Sequence, residues 1–187
     1  MEFQLAIDRF TAFDPNCEVG GFIIASYIES MWADDLVPLI REHGYEQARP
    51  DEWYNQQKWL NFLTEVYRLP DGPNRMVSVG MKSGQSMPFP PEMTDFEAVM
   101  ESIPLSMDMT HRNGAWGTVT CERVATGHLR MTNHTSYSDE SVYGAYYAFA
   151  KRFLPKGTDF TVISNQAGKI RYPAINEPPL MIDIRWK

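Results

Sequence analysis

The clearest run of alternating positions lies late in the chain. Gly117 to Val124 is β-branched and roughly alternates, and Gly127 to Thr132 repeats the pattern, which predicts a hairpin turning at Ala125 to Gly127. Side chains alternate across a strand, so Val119, Cys121, Leu129 and Met131 share one face and are expected inward. Thr120, Glu122, His128 and Arg130 share the other, where Glu122 and Arg130 are placed to pair. After Asn133 to Ser138 the period changes to helical: Val142, Tyr146, Phe149 and Phe153 form one stripe, Ser138 stands at the N-cap, Asp139 and Glu140 occupy the first turn, and Pro155 and Gly157 end it. Phe160 to Ile163 and Met181 to Trp186 read as two further strands. The segment from Trp116 onward is therefore a β-β-α-β-β unit.

Upstream the pattern is mostly helical. Phe22, Ile23, Tyr27, Ile28, Met31 and Trp32 fall at helical spacing after Gly20-Gly21. Leu36, Val37, Leu39 and Ile40 follow Asp34-Asp35 as a second, short helix capped at His43-Gly44. Trp59, Leu60, Phe62, Leu63, Val66 and Tyr67 define a third, introduced by Pro50-Asp51-Glu52. Phe3, Leu5 and Ile7 alternate with polar residues as a short edge strand. The middle differs in kind: six prolines lie between Pro70 and Pro104, and seven of the eleven methionines between Met76 and Met109. Pro70-Asp71-Gly72-Pro73 reads as a turn, Pro88 to Pro91 as extended chain, and Thr94 to Pro104 as a helix opening on a capping box. Leu105, Met107 and Met109 alternate, and Asn113-Gly114 is the turn that joins them to the strand at Gly117. The expected architecture is α+β: N-terminal helices packed on a twisted antiparallel sheet, in a single domain spanning residues 1–187.

A formal charge of −7 excludes general affinity for nucleic acid or anionic membranes. Residues 1–141 carry net −11 and residues 142–187 net +4, which predicts that the basic end lies against the acidic remainder. Cys17 and Cys121 make neither a disulfide framework nor a metal-ligand spacing, so a reducing, cytoplasmic setting is expected. The first residues lack a signal-peptide pattern, and no apolar run suffices for direct membrane insertion.

Motifs for nucleophilic or phosphate chemistry are absent: there is no Gly-x-Ser-x-Gly elbow, and Gly80 to Gly84 lacks P-loop spacing. Three of the four histidines, His111, His128 and His134, cluster in sequence and would serve a general base only if two converged with an acid. Tyr143 and Tyr147 lie four apart beside Gly144 and Ala148, whose small side chains admit a second backbone or a flat ligand. The ligand-binding candidates are Tyr143, Tyr147, Tyr137, His134, Met107, Met109 and Trp116. No metal or other cofactor is predicted.

Helices carrying Gly20-Gly21-Phe22-Ile23-Ile24, His43-Gly44-Tyr45 and Trp59-Leu60-Asn61-Phe62-Leu63, then Val77-Ser78-Val79-Gly80, Tyr143-Gly144-Ala145-Tyr146 and a terminal Ile184-Arg185-Trp186, together resemble the superfamily of haem-NO-binding (H-NOX) domains, 4-vinyl-reductase-type domains and TRAPP transport subunits. The resemblance covers most of the chain. It implies a ligand pocket between helices and a twisted antiparallel sheet, often in a dimer. The Tyr-x-Ser-x-Arg signature for haem propionates is missing, as is the cysteine cluster of the vinyl-reductase-type domains. Expected from all this is a non-enzymatic sensor or adaptor domain taking a small apolar or aromatic ligand in a Met-lined pocket, with a histidine-based enzyme as the alternative. The wide apolar arcs of the first and third helices predict a homodimer.

Overall fold

The computed structural model describes residues 10–31, 36–165 and 178–187. Strand β1 (Glu18–Gly20) runs into α1 (Gly21–Met31), followed by α2 (Val37–Glu42), β2 (Trp53–Asn55), α3 (Gln56–Arg68), α4 (Gly72–Ser86) and α5 (Phe96–Met109). Then come β3 (His111–Arg112), β4 (Gly117–Ala125), β5 (His128–Thr135), α6 (Asp139–Phe153), β6 (Phe160–Ser164) and β7 (Leu180–Trp186). A small sheet has the order β2-β1-β3 and a larger one β4-β5-β7-β6, with every pairing antiparallel. The fold is α+β, as its alternation and helical periods predict.

The β-β-α-β-β unit matches its sequence reading closely. Val119, Leu129, Met131, Ile182 and Ile184 are buried on the helix side of the larger sheet, with Cys121 half-buried among them. Glu122 stands opposite Arg130 in register, but the Arg130 guanidinium turns to Asp183 on the other neighbouring strand, at 3.0 and 3.3 Å. The Ser138 hydroxyl accepts the Ser141 N–H at 3.1 Å and opens α6. Asp139 and Glu140 occupy its first turn, and Lys151 and Arg152 its last, in keeping with the helix dipole. From the basic end of the chain, Arg152 reaches the carbonyls of Gln85 and Met87, which α4 leaves unpaired at its C-terminus.

Five helices precede the larger sheet where four were expected, and the addition is α4. Pro70 to Pro73 is not a free turn: Asp71 adopts φ 63° and Pro73 sits in the first turn of α4, where its missing N–H costs nothing. Helix α5 does not stop at Pro104 but continues to Met109, so Leu105, Met107 and Met109 are helical and not strand. A proline removes one ladder donor, and here the side chains on both sides of it compensate. Phe96, Val99, Met100 and Ile103 are buried before it, and Met107 packs against the core after it. The cap is Asp95, whose carboxylate accepts the Ala98 N–H at 2.9 Å. Helix α3 begins after β2 rather than at Pro50, with the Asn55 side chain accepting from the Lys58 N–H. Asn113, at φ 62°, joins β3 to β4, which lie in different sheets, so it does not close a hairpin. The edge strand expected at Phe3 to Ile7 lies outside the described residues, as does Trp32.

Buried side chains form two clusters. One gathers α1 to α4 around Trp59, Phe62 and Leu63; the other gathers α5, α6 and the larger sheet around Met100, Leu129 and Phe149. Met107 and Val142 pack against both. The apolar arcs that predicted a homodimer are used here. Ile28 and Met31 of α1 and Trp59, Phe62 and Leu63 of α3 are core, and Phe22, at 36%, is the one large apolar side chain on those two helices that is exposed among the described residues.

Helices α4 and α6 meet backbone to backbone. A Cβ on Gly80 would land inside contact distance of the Ser141 carbonyl oxygen, and one on Gly144 inside that of the Val77 carbonyl oxygen. Neither obstruction is a flexible side chain, so the helices themselves would have to separate. Gly80→Ala and Gly144→Ala should each lower stability by about 2–3 kcal/mol in urea unfolding. Gly157→Ala, at φ 91° with no atom within 4 Å, should cost about 1 kcal/mol, from backbone strain alone.

Candidate functional site

Between the two clusters lies a cavity of about 270 Å³. Its walls include Ile23 and Tyr27 from α1, Ile103 and Met107 from α5, and Val142 and Phe149 from α6. Phe22 and Met109 belong both to the wall and to the surface, 36% and 72% exposed, so the cavity opens between α1 and the end of α5. On another side the wall is the extended segment of Met87, Pro88 and Phe89. No Asp, Glu, Lys or Arg lines the cavity among the described residues.

Its polar groups come from β5 and the turn after it, and also from Ser83 of α4, Ser106 of α5, and Ser141 and Tyr146 of α6. The parity that buries Leu129 and Met131 also buries Asn133 and Thr135, each 1% exposed, at the cavity wall. The Tyr146 hydroxyl donates to Asn133 Oδ1 at 2.6 Å. Among the described residues Asn133 Nδ2 and Thr135 Oγ1 have no hydrogen-bond partner. Burial pushes the Tyr137 and Tyr146 hydroxyls well above the ordinary tyrosine range, so both stay protonated.

His111 Nδ1 lies 2.9 Å from the Met107 carbonyl, which can only accept, so Nδ1 carries the proton. Nε2 then accepts from the Tyr137 hydroxyl at 2.6 Å, and the Gln56 amide donates to the same oxygen at 3.4 Å. Trp116 stacks on the imidazole at 5.1 Å, with its indole N–H on Asp108. Both ring nitrogens are engaged, and the group acts as a buried brace between β3 and the turn after β5.

Of the seven residues singled out from sequence, Tyr137, Met107 and Met109 line this cavity. Trp116 stands behind His111. His134 points to the other face of β5, against Phe13 at 5.1 Å. Tyr147 packs on Phe160 at 5.4 Å, and Tyr143 lies at the margin of the second cluster. The small residues beside them receive a backbone, that of α4, and not a flat ligand. Sequence reasoning missed Asn133, Thr135 and Tyr146 as cavity groups. The available signal was polar residues continuing the inward parity of Leu129 and Met131 past Thr132, where the strand was expected to end.

The three histidines do not share a cleft. His128 and His134 lie on the opposite face of β5 from the cavity that His111 lines, about 20 Å apart along the strand. His128 bonds Asp183 at 2.8 Å beside Arg130. Burial raises the thiols of Cys17 and Cys121 to about 11, so neither is a thiolate near neutrality. Among the described residues no three His, Cys, Asp or Glu side chains gather as a metal set, and no helix is long and apolar enough to cross a membrane.

No family model matches the chain, and no curated protein matches it in sequence. Solved structures do match in fold. An H-NOX protein from K. algicida, in an Fe(II) unliganded mutant form, superposes with a TM-score of 0.66 at 10% identity, over 90% of this chain and 96% of that one. An H-NOX protein from S. oneidensis in the Fe(II)NO ligation state gives 0.62 at 10% identity, over 90% and 99%. A mutant H-NOX from T. tengcongensis gives 0.64 at 12% identity, over 90% and 97%. The chain therefore has an H-NOX-like fold, as its segment spacing implies.

The cavity residues do not fit the haem that such a fold suggests. Haem carries two carboxylates, and among the described residues the wall offers no cation to either; burying them unpaired would cost several kcal/mol each. The histidine on the wall has no nitrogen free for iron, and both Tyr137 and Tyr146 hydroxyls are held protonated in hydrogen bonds. The missing Tyr-x-Ser-x-Arg sequence agrees with this chemistry.

Burial holds His111 below its ordinary value of about 6.5, partly offset by the Met107 carbonyl and Asp108. Between the two values the unfolded chain binds more protons than the folded one. The stabilisation is therefore complete above about pH 6.5 and is lost as pH falls toward the folded value. Urea midpoints of wild type and His111→Gln, taken from pH 7.5 to 5.5, should converge as the pH drops, because only the wild type carries this acid-sensitive component.

Proposed function

We propose that this protein is a non-enzymatic binding domain of the sensor or adaptor type, acting as a single domain, which takes a small apolar or aromatic molecule in the cavity between its two cores. The observation that carries this reading is the cavity itself: about 270 Å³ walled by apolar side chains, in a chain whose clusters otherwise close with fully buried residues. A void of that size that is merely a packing defect would forfeit dispersion contacts on every side. Ligand pockets in proteins are of this kind, apolar with a few placed polar groups. Met87, Met107 and Met109 on the wall suit a guest of variable shape.

The H-NOX neighbours support the reading as fold analogues that hold their ligand within the same architecture, with a different occupant here. The proposed cavity is complete within one chain, so this reading does not depend on self-association.

Native mass spectrometry of the purified protein should show a bound small molecule, or uptake of a neutral aromatic compound at one per chain, on a species near 21.5 kDa. Titration with hemin should give no sharpened Soret band at stoichiometric ratio; a sharp band would overturn the haem-free reading. Val142→Phe, which adds bulk to the wall between both clusters, should weaken binding by more than tenfold while leaving the unfolding midpoint within a few degrees.

A further inference from the structure

We propose that the occupant is a neutral molecule whose apolar body carries a carbonyl or similar acceptor oxygen, bound by the Asn133 amide and the Thr135 hydroxyl. This rests on the cavity being a ligand site, and it names the class of ligand.

Asn133 and Thr135 are each 1% exposed, and Asn133 Nδ2 and Thr135 Oγ1 have no partner among the described residues. Leaving one such group buried and unsatisfied costs about 1–3 kcal/mol, and here two stand two residues apart on one strand face at the wall of one cavity. The orientation of the amide follows from the Tyr146 contact. At 2.6 Å it has the length of an O–H···O bond and is short for N–H···O, so the hydroxyl donates to Oδ1. The reverse orientation would orphan both Oδ1 and the hydroxyl proton. Nδ2 is therefore the donor left over, and it requires an acceptor.

The Thr135 hydroxyl either donates or accepts, so it admits a second oxygen on the guest, as a ketone or a hydroxyl, about 6.8 Å along the strand. Charge narrows the class further. With no lining cation or anion among the described residues, a carboxylate or an ammonium would be buried unpaired. Size narrows it again, since about 270 Å³ stands at the small end for ligand pockets and suits one or two rings.

The test uses three probes of one shape on the full chain, by calorimetric titration: 2-acetylnaphthalene, 2-ethylnaphthalene and 2-naphthoate. The ketone should bind about tenfold tighter than the hydrocarbon, and the carboxylate more weakly than either. In Asn133→Leu the preference for the ketone over the hydrocarbon should fall to within twofold, and Thr135→Val should reduce it partially. A second measurement needs no variant: the carbonyl stretch of bound 2-acetylnaphthalene should sit below its frequency in hexane. Hydrocarbon binding as tight as the ketone, tighter binding of the carboxylate, or an unshifted carbonyl stretch would each overturn the proposal while leaving the cavity a binding site. Binding of none of the three would remove the ligand-site reading and this inference with it.

Discussion

The backbone-to-backbone crossing of α4 and α6 is the constraint about which the rest of the architecture is arranged. Gly80 and Gly144 let two backbones meet where any side chain would push them apart. Helix α6 lays its other side, with Tyr146 and Phe149, toward the larger sheet. It is thus held between a helix that cannot retreat and a sheet whose inward face is full of Leu129, Met131, Ile182 and Ile184. Because α4 also joins the first cluster through Met76 and Val79, the crossing fixes the distance between the two cores. What the cores leave between them is the cavity.

That arrangement explains which parts of the molecule can be read from the amino-acid order. In β4, β5 and β7 burial depends on parity, and parity is written locally in the alternation of Val119, Leu129 or Ile182 with polar neighbours. Helix α6 carries its own cap and its own stripe. Helix α4 is the opposite case. Gly80, Ser83 and Gly84 are poor helix formers, chosen for closeness to another helix that lies some sixty residues away in the chain, so its helicity is a tertiary property. The continuation of α5 past Pro104 is of the same sort, since Met107 is anchored by contacts to both clusters rather than by local preference.

The candidate site was legible in part, and the division is physical. Met107, Met109 and Tyr137 stand out by residue type. Tyr143 and Tyr147 stand out equally but lie on a helix side turned from the cavity. Asn133 and Thr135 are inconspicuous as residues and informative only by position, because a polar side chain on the inward parity of a strand carries an unmet hydrogen bond. The fold is shared with H-NOX structures at 10–16% identity, a level at which backbone geometry persists while the chemistry of the interior is free to change.

The uncharged wall of the cavity has a consequence for how occupancy responds to the surrounding solution. Dissolved ions act on binding by screening charges, and a neutral guest in a wall without Asp, Glu, Lys or Arg presents none to screen. For the guest proposed above, screening would then leave the equilibrium almost untouched, although the protein as a whole carries a charge of −7. Occupancy would track the free concentration of that guest, which is the property a concentration sensor requires.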